Sequence, residues 1–459
     1  MKLLPFILVI AVVFGPSSLA AQRISTTQLT PVEMRLTAVD ALQTGKATRA
    51  LAIAEALLLR DSDDVVALRV AGQAALEIGQ STVASKHARR LFRLVNKPSE
   101  KFFASRLVAL AETRQSKFTT AQFWLRRAHQ FAPDAAATRS VTDDYRFLRN
   151  QNPWSMSFRF GASPTNNVNN GARTATTENG GALTLSAANV ALAGYQASVG
   201  AGLRYRLHAN ASSATFANAK LDYQTYAFNG ESEAILLEED LQIEGSDYAF
   251  GTLSFGLNHR RIFVDGMDPT DFSVTASKSW FGGDPYRQSV LASISQGWKI
   301  GDTDRLQFAI SREKQTRIDG DEPFDIHISS LTGKWLHGFE NNDRLSIGLT
   351  ARQTRSASAP SDYDTRRIRF DYDIAKPIAG VSIGAGVELE QRDYNVAFAL
   401  RQFLRQDKSL NLNMSFTFDE FEFYGFKPRL DLSVRRTDSN DDLFDRDTRT
   451  IGLGFQSSF

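Results

Sequence analysis

Leu410-Asn411-Leu412-Asn413-Met414-Ser415-Phe416-Thr417-Phe418 alternates apolar and polar side chains without a break. Ile451-Gly452-Leu453-Gly454-Phe455 repeats the pattern shortly before the terminal Phe459. A period of two puts successive side chains on opposite faces of an extended strand, one face for oil and one for water. In the last segment Ile451, Leu453, Phe455 and Phe459 share a face, while Gly452, Gly454, Gln456 and Ser458 share the other. A strand of a soluble sandwich alternates in the same way. The reach of the pattern and the compartment have to decide.

The pattern reaches back to Trp154. Leu306, Phe308 and Ile310 alternate with Gln307, Ala309 and Ser311, and Leu345, Ile347 and Leu349 with Ser346, Gly348 and Thr350. Ile368, Phe370, Tyr372 and Ile374 alternate with Arg367, Arg369, Asp371 and Asp373. Val381, Ile383, Ala385, Val387 and Leu389 alternate with Ser382, Gly384, Gly386, Glu388 and Glu390. No helical period intervenes, so hairpins must join these segments into an antiparallel sheet. Three features favour a transmembrane barrel over a sandwich. The segments are long, as tilted membrane strands are. Short connections such as 300–304 and 338–343 alternate with longer polar ones such as 356–364 and 395–406, as periplasmic turns and outer loops do. The chain also ends in an amphipathic strand with a terminal aromatic. About fifteen segments can be marked. The weakest, 233–243, is acidic and breaks step at Glu238-Glu239-Asp240, so it is assigned to an outer excursion between Tyr226 and Tyr248. About fourteen strands remain. Phe421 and Phe423 fall out of phase with Phe418, which predicts a bulge or girdle residue near Asp419-Glu420. Gly425-Phe426-Lys427-Pro428 reads as a periplasmic turn, and 439–447 as the ordered outer loop before the last strand.

Composition agrees with this compartment. Hydrophobic residues make up 42% of the 459, too few and too dispersed for a bundle of membrane helices, and a net charge of +2 gives no case for nucleic acid. There are no cysteines, which removes thiolate catalysis, Cys-ligated zinc, disulfides and an acylated cysteine anchor. Residues 1–20 read as a signal peptide: Lys2, an apolar stretch from Leu3 to Phe14, then Ser18-Leu19-Ala20 with cleavage before Ala21. Export beyond the inner membrane is expected, with residues 21–150 in the periplasm and 153–459 in a bacterial outer membrane.

Residues 31–150 carry the helical period instead. Ala50, Ala84 and Ala121 recur at intervals of 34 and 37, the first being the tetratricopeptide period and the second needing a short insertion near Lys97-Pro98-Ser99. Gly72 and Pro133 fall where that repeat packs closely and where it ends. About three helix–turn–helix repeats are expected, with a last helix near 134–148. Such repeats stack into a concave surface that commonly holds peptides. Arg89, Arg90, Arg93, Arg126 and Arg127 would make one edge basic and are the candidate client-binding residues, although a charge run also serves simply as a solvated face.

Two further stretches are more specific: residues 154–171, with Asn166, Asn167, Asn169 and Asn170, and residues 423–430 followed by 439–447, with Ser439, Asn440 and Asp445. Together with a short repeat domain they resemble the surface lipoprotein assembly modifier (Slam) family. The resemblance implies a periplasmic repeat domain joined to a fourteen-stranded outer-membrane barrel. It also implies a translocator that moves a lipoprotein or secreted scavenger protein to or across the membrane. Implied partners are that client, membrane lipid and the barrel-assembly machinery, which would read Phe455 and Phe459. An exopolysaccharide exporter and a passive porin with an accessory domain are the alternatives.

From the residues themselves, the Asn-rich run either simply ends the first strand, or folds into the pore mouth or gates the seam of the barrel. Arg367, Arg369, Asp371, Asp373, Glu388, Glu390, Arg429, Asp431 and Arg435 should face the lumen. They would either pair across the sheet or line a charged path. No cofactor, metal or catalysis is expected: no hydrolase, metal or phosphate motif occurs, and His259 and His337 show no evident serine or carboxylate partner in the sequence.

Overall fold

The computed structural model describes residues 29–177, 183–320, 323–397, 402–421 and 426–457. The signal peptide, Tyr424 and Phe459 lie outside them. The chain forms two compact units, one running to Leu94 and one from Val95.

The first unit holds α1 (Pro31–Gln43), α2 (Ala47–Arg60), α3 (Val65–Glu77) and α4 (Ser81–Leu94). Thr30 and Glu33 close a capping box at α1, and the Asp64 carboxylate caps α3 through the amides of Val66 and Ala67. α1 packs on α2 and α3, and α3 on α4. In the second unit, α5 (Pro98–Arg114) packs on α6 (Phe118–Gln130), and α6 on α7 (Ala135–Gln151). Ala50, Ala84 and Ala121 are fully buried. Gly45, Gly79 and Ser116, which follow α1, α3 and α5, have φ of +72°, +82° and +58°. These left-handed residues recur at the same 34 and 37 intervals and turn each helix back on the next. Three helix pairs and a final helix result.

At Asn152 the period changes. Its side-chain amide donates to Thr119 and Gln122 of α6, while its carbonyl oxygen accepts the Trp154 amide. β1 (Trp154–Thr165) then opens a closed antiparallel barrel. A two-stranded pair, β2 (Thr176–Thr177) and β3 (Leu183–Thr184), lies outside it. The barrel continues with β4 (Gly194–Ala209), β5 (Ser213–Phe228), β6 (Phe250–Arg261), β7 (Thr270–Phe281), β8 (Asp284–Ile300) and β9 (Asp304–Arg317). β10 (Phe324–Gly338), β11 (Arg344–Ser356), β12 (Tyr363–Asp373), β13 (Val381–Tyr394), β14 (Gln406–Phe418), β15 (Phe426–Ser439) and β16 (Arg446–Ser457) complete it.

Fourteen strands close the ring, each beside its neighbour in sequence, with β1 meeting β16. Residues 233–243 are not a strand: α8 (Gly230–Glu238) occupies the connection between β5 and β6. The turn expected at 425–428 is displaced. Phe426, Lys427 and Pro428 already pair with Ser457, Gln456 and Phe455 of β16, so the connection lies earlier. Proline is tolerated there because it falls in the opening residues of its strand.

Even strand number returns both barrel termini to one rim. This helix-side rim carries α7, the turns at 301–303, 339–343 and 374–380, and the end of β16. The far rim carries the longest connections, 166–193 and 229–249, but also the two-residue turn Gly282-Gly283, while the helix-side connection 262–269 is longer than that turn.

Candidate functional site

Strand register assigns every inward position. Between β6 and β8 small inward hydroxyls bond in pairs across the strands: Thr252 with Ser279 at 2.9 Å, Ser254 with Ser277 at 3.0 Å, and Ser273 with Ser293 at 2.7 Å, while Arg260 pairs with Asp271 at 2.6 Å toward the helix-side rim. From β12 to β15 the same face is ionic. Glu390, whose side chain is 4% exposed, receives Arg367, Arg392 at 3.0 Å and Arg435 at 3.7 Å. Arg369 bridges Asp371 at 2.8 Å and Glu388 at 3.4 Å, and Arg429 holds Asp431 at 2.8 Å. Register puts Asp373 on this face as well, opposite Gly384. The lumen charges therefore form a mutually neutralising network on one arc. Arg392 completes it and was not singled out from the sequence, although it continues the period-2 series Glu388, Glu390. Toward the far rim the arc is stiffened by stacking. Arg392 lies over Tyr363 at 4.6 Å, and Arg405 sits between Tyr394 at 4.4 Å and Phe444 at 3.4 Å.

The seam between β1 and β16 is different from the other joints. β1 pairs with β4 along its whole length, from Trp154↔Tyr205 to Thr165↔Gly194. With β16 the register runs only through Gly161↔Gly454, Ala162↔Leu453 and Thr165↔Thr450. Pro164 has no amide to donate and falls within that short ladder. A Cβ on Gly454 would stand 2.9 Å from the Phe160 carbonyl oxygen, so glycine there allows the backbones their close approach. Below Gly161, residues 154–160 of β1 have β4 on one side and no strand partner on the other among the described residues.

At the far end the seam is tied by the Asn-rich run. Asn166 accepts the Arg449 amide at 2.6 Å and donates to the Asp447 carbonyl at 3.2 Å, so its side chain extends the ladder beyond Thr165. Asn167 bonds Gly171 in both directions, and Asn169 gathers Ala188, Val190 and Leu192. Asn170 supplies a left-handed turn with φ of +52°. Gly171 is required by space, since a Cβ there would meet the Val190 backbone at 2.3 Å. Val168, Ala187, Leu192, Phe228 and Leu236 bury one another and hold this connection to α8. The run ends β1 and also fastens the seam.

Arg173 adds a second tie. Its guanidinium reaches Asp438 at 3.0 Å and Asp445, and its amide donates to the Asp445 carbonyl at 2.9 Å. The Asp438 hydrogen bond, with both carboxylates near, holds this guanidinium more firmly protonated than usual. Ser439 and Asn440 order the same connection. The Ser439 amide donates to Asp445 at 2.8 Å, and Asn440 bonds the Gln406 amide and the Leu404 carbonyl.

Two cavities meet at the seam. One of about 630 Å³ lies inside, bordered by Gly161, Ser198, Gly200, Gly452 and Gly454. The other, about 730 Å³, lies between the start of β1, the start of β15 and helices α6 and α7. Arg159, Phe160, Asp431 and Gly454 border both.

The candidate client-binding arginines divide between the units. Arg89, Arg90 and Arg93 sit on α4, where Arg89 bonds Ser85 at 3.2 Å and Arg90 bonds Asp63 and Ser62. Arg126 and Arg127 sit on α6. Arg126 bonds the Tyr145 hydroxyl at 3.0 Å and lies 5.6 Å from the Phe426 ring, and Arg127 lies over Phe123. Phe455 faces outward at the seam, on the lipid side by alternation.

His337 corrects the reading that it lacks a carboxylate partner. Its Nδ1 lies 2.9 Å from Asp304, with which it is paired in register across β9 and β10, far apart in sequence. Trp335 donates to the same carboxylate at 2.9 Å, and Phe339 packs on the imidazole. The group forms part of the aromatic belt at the helix-side rim. His259 contacts Thr215 at 2.9 Å. No cluster of metal-ligating side chains occurs among the described residues.

The family model described as surface lipoprotein assembly modifier matches residues 154–459. No curated protein matches. Similar solved structures include a loop-deletion mutant of OmpT, an outer membrane protein of Vibrio cholerae. It is 11% identical, covers 67% of this chain and 99% of its own, and has a TM-score of 0.33. A BenF-like porin from Pseudomonas fluorescens is 8% identical, covers 66% and 98%, and has a TM-score of 0.36. The first tetratricopeptide domain of human RPAP3 is 15% identical over 26% of this chain and 90% of its own, with a TM-score of 0.23.

Proposed function

Because the chain belongs to the surface lipoprotein assembly modifier family, we propose that it is an outer-membrane translocator that carries a specific lipoprotein or secreted protein to the cell surface. The family match across the whole barrel carries this reading. The helices hold the client on the periplasmic side, and the barrel passes it on. Without a nucleotide-binding loop in the sequence, direction comes from capture on one side and folding of the client on the other. A barrel of fourteen strands is too narrow for a folded domain, because bore grows with strand number. The client therefore enters unfolded. The ionic arc supports the same reading, since its charges are spent on one another rather than presented to small ions.

Deleting the gene and comparing lipoproteins accessible to protease on intact cells tests the function directly. Loss of one or a few proteins from the surface, with their periplasmic forms retained, is expected. An unchanged surface with altered sugar export or solute uptake would refute it. Reversing Arg89, Arg90 and Arg93 to glutamate in the full chain should weaken client capture in a salt-dependent way, which pull-down at two ionic strengths reads. Single cysteines read sidedness in a chain that has none. Ser358 and Asp442 should label on intact cells, and Asn341 only after the outer membrane is opened.

A further inference from the structure

On the outside of the barrel, the wall of β9 to β14 carries an apolar groove of about 660 Å³ that leads to a pair of cations. Its walls belong to the outward series. Phe308, Leu331, Leu349 and Leu389 are each about half exposed, and Gly333 and Ala351 leave a trough between them. Register sets Gly333 between Phe308 and Leu349, and Ala351 opposite Leu331, so each small residue lies beside a large one. At the far end of the groove Arg366, Gln391 and Lys408 stand side by side across β12, β13 and β14. These three lie within three residues of the far ends of their strands, whereas Phe308 and Gly333 lie nine residues from theirs. The groove therefore climbs from the middle of the wall to the far rim.

The two cations have no carboxylate of their own. Arg366 and Arg367 are neighbours in sequence and point to opposite sides of the wall. Across β12 and β13 the inward Arg367 is met by Glu390, and the outward Arg366 by Gln391, which is uncharged. Arg366 and Lys408 are exposed, and neither makes an ion pair among the described residues. Lys408 stands opposite Asp438 in register, but Arg173 and Arg436 hold that carboxylate, each at 3.0 Å. Asp364 is paired with Arg355 at 2.6 Å. Asp393, two residues nearer the rim than Gln391, receives the Gln391 amide at 3.0 Å. The adjoining connection, residues 395–406, contains no acidic residue.

A cation on the lipid-facing side of a barrel is tolerated near the interface, where a headgroup can supply its counter-charge. Two strand spacings, about 10 Å, separate Arg366 from Lys408, so one anion set over Gln391 is within reach of both long side chains. Asp393 lies on the rim side of Gln391, which leaves the anion the groove side, at the head of the apolar trough. Two positive charges call for about two negative ones, and a phosphomonoester carries that many near neutral pH. A zwitterionic phosphodiester headgroup carries fewer and brings its own cation.

We propose that this groove docks the phosphorylated, acylated glycolipid of the outer leaflet, with a phosphomonoester between Arg366 and Lys408 and an acyl chain over Gly333 and Ala351. The choice of leaflet rests on the reading that puts the helices in the periplasm. Bound there, the lipid braces the outside of the strands whose inside carries the ionic network.

The test uses the full-length protein in nanodiscs of phosphatidylethanolamine and phosphatidylglycerol, doped with bis-phosphorylated lipid A or with its dephosphorylated twin. Native mass spectrometry reads which lipid stays on the protein. Lipid A should be retained, and the twin and phosphatidylglycerol about tenfold less. The twin tests the wild-type chain, so this arm needs no substitution. Arg366→Gln combined with Lys408→Gln should lower retention of lipid A by a similar factor, while Arg366→Lys should keep most of it. Ala351→Phe fills the trough and should lower retention with both cations in place. Arg449→Gln removes an outward arginine of the same rim that is already paired with Asp447 at 2.9 Å, and should change nothing. Heat-modifiable mobility shows that each variant is folded. Equal retention of the twin or of phosphatidylglycerol, no loss in the double variant, or an equal loss with Arg449→Gln would each overturn the proposal. Displacement of the lipid by inorganic phosphate, with Ala351→Phe silent, would assign the cations to a free anion and overturn it too. A Ser358→Cys chain that labelled only after the outer membrane was opened would put the groove in the wrong leaflet. If lipid A is retained but gene deletion leaves surface proteins unchanged, the translocator reading fails and the lipid site stands. If surface display depends on the gene but lipid A is not retained, the site alone fails.

Discussion

The hydroxyl arc of β6 to β8 and the ionic arc of β12 to β15 are built on the same ladder, and both pair most of their inward groups across neighbouring strands. They differ in what a perturbation would cost. A serine that loses its partner can turn its hydroxyl to water in the lumen. Glu390 anchors three arginines in a nearly closed setting, and of these only Arg367 has a second carboxylate within reach, Glu388 at 3.7 Å. One arc is a smooth, forgiving lining. The other is a structural spine that also happens to be charged.

The sharpest way to break this contrast is Glu390→Gln. It should destabilise the barrel by about 3 kcal/mol, read as a lower denaturant midpoint for the loss of heat-modifiable mobility. A change no larger than for a serine would refute the spine. Arg173→Ala comes next. Its ion pairs are partly exposed, so about 1 kcal/mol is expected, with faster protease cleavage in residues 440–445. Ser277→Ala should cost about 0.5 kcal/mol and leave export unchanged.

The smallest effect concerns Asp343, in a helix-side turn outside both arcs. The Tyr372 hydroxyl, then the Ala375 amide, holds its carboxyl below the usual range. A depressed carboxyl stabilises above its unfolded value and loses that contribution as pH falls through the folded one. The stability gap between wild type and Asp343→Asn should therefore be present at pH 7 and close below about pH 4. A gap that widened in acid would mean the turn is held in some other way.

Strand existence was legible because alternation survives averaging: Leu410 to Phe418 and Val381 to Leu389 could be nothing but half-apolar strands. The excursion at 233–243 was legible too, since Glu238-Glu239-Asp240 breaks step. The repeat was visible in Ala50, Ala84 and Ala121, and the left-handed residues Gly45, Gly79 and Ser116 carry the same intervals. Pairing partners were harder. His337 and Asp304 meet through register, and no local spacing reveals that. Arg173 lies in an irregular connection, and its partners Asp438 and Asp445 are some 270 residues away. The turn at 425–428 was misplaced because Pro428 reads as a strand breaker, whereas position within the strand decides whether the missing amide matters.

The half-tied seam has a mechanical consequence. β16 is backed by the stiff ionic arc, whereas β1 is backed by β4, whose inward positions include Gly200 and Gly202. Force applied at the helix-side end would deflect the compliant leaf and leave the rigid jamb in place. Any parting from that end would have to undo Gly161↔Gly454 before it reached the tie at Asn166. The work required would rise with each pair undone. A thin extended load would part only the first pairs. The far end would stay latched, and the ring would keep its circumference throughout passage.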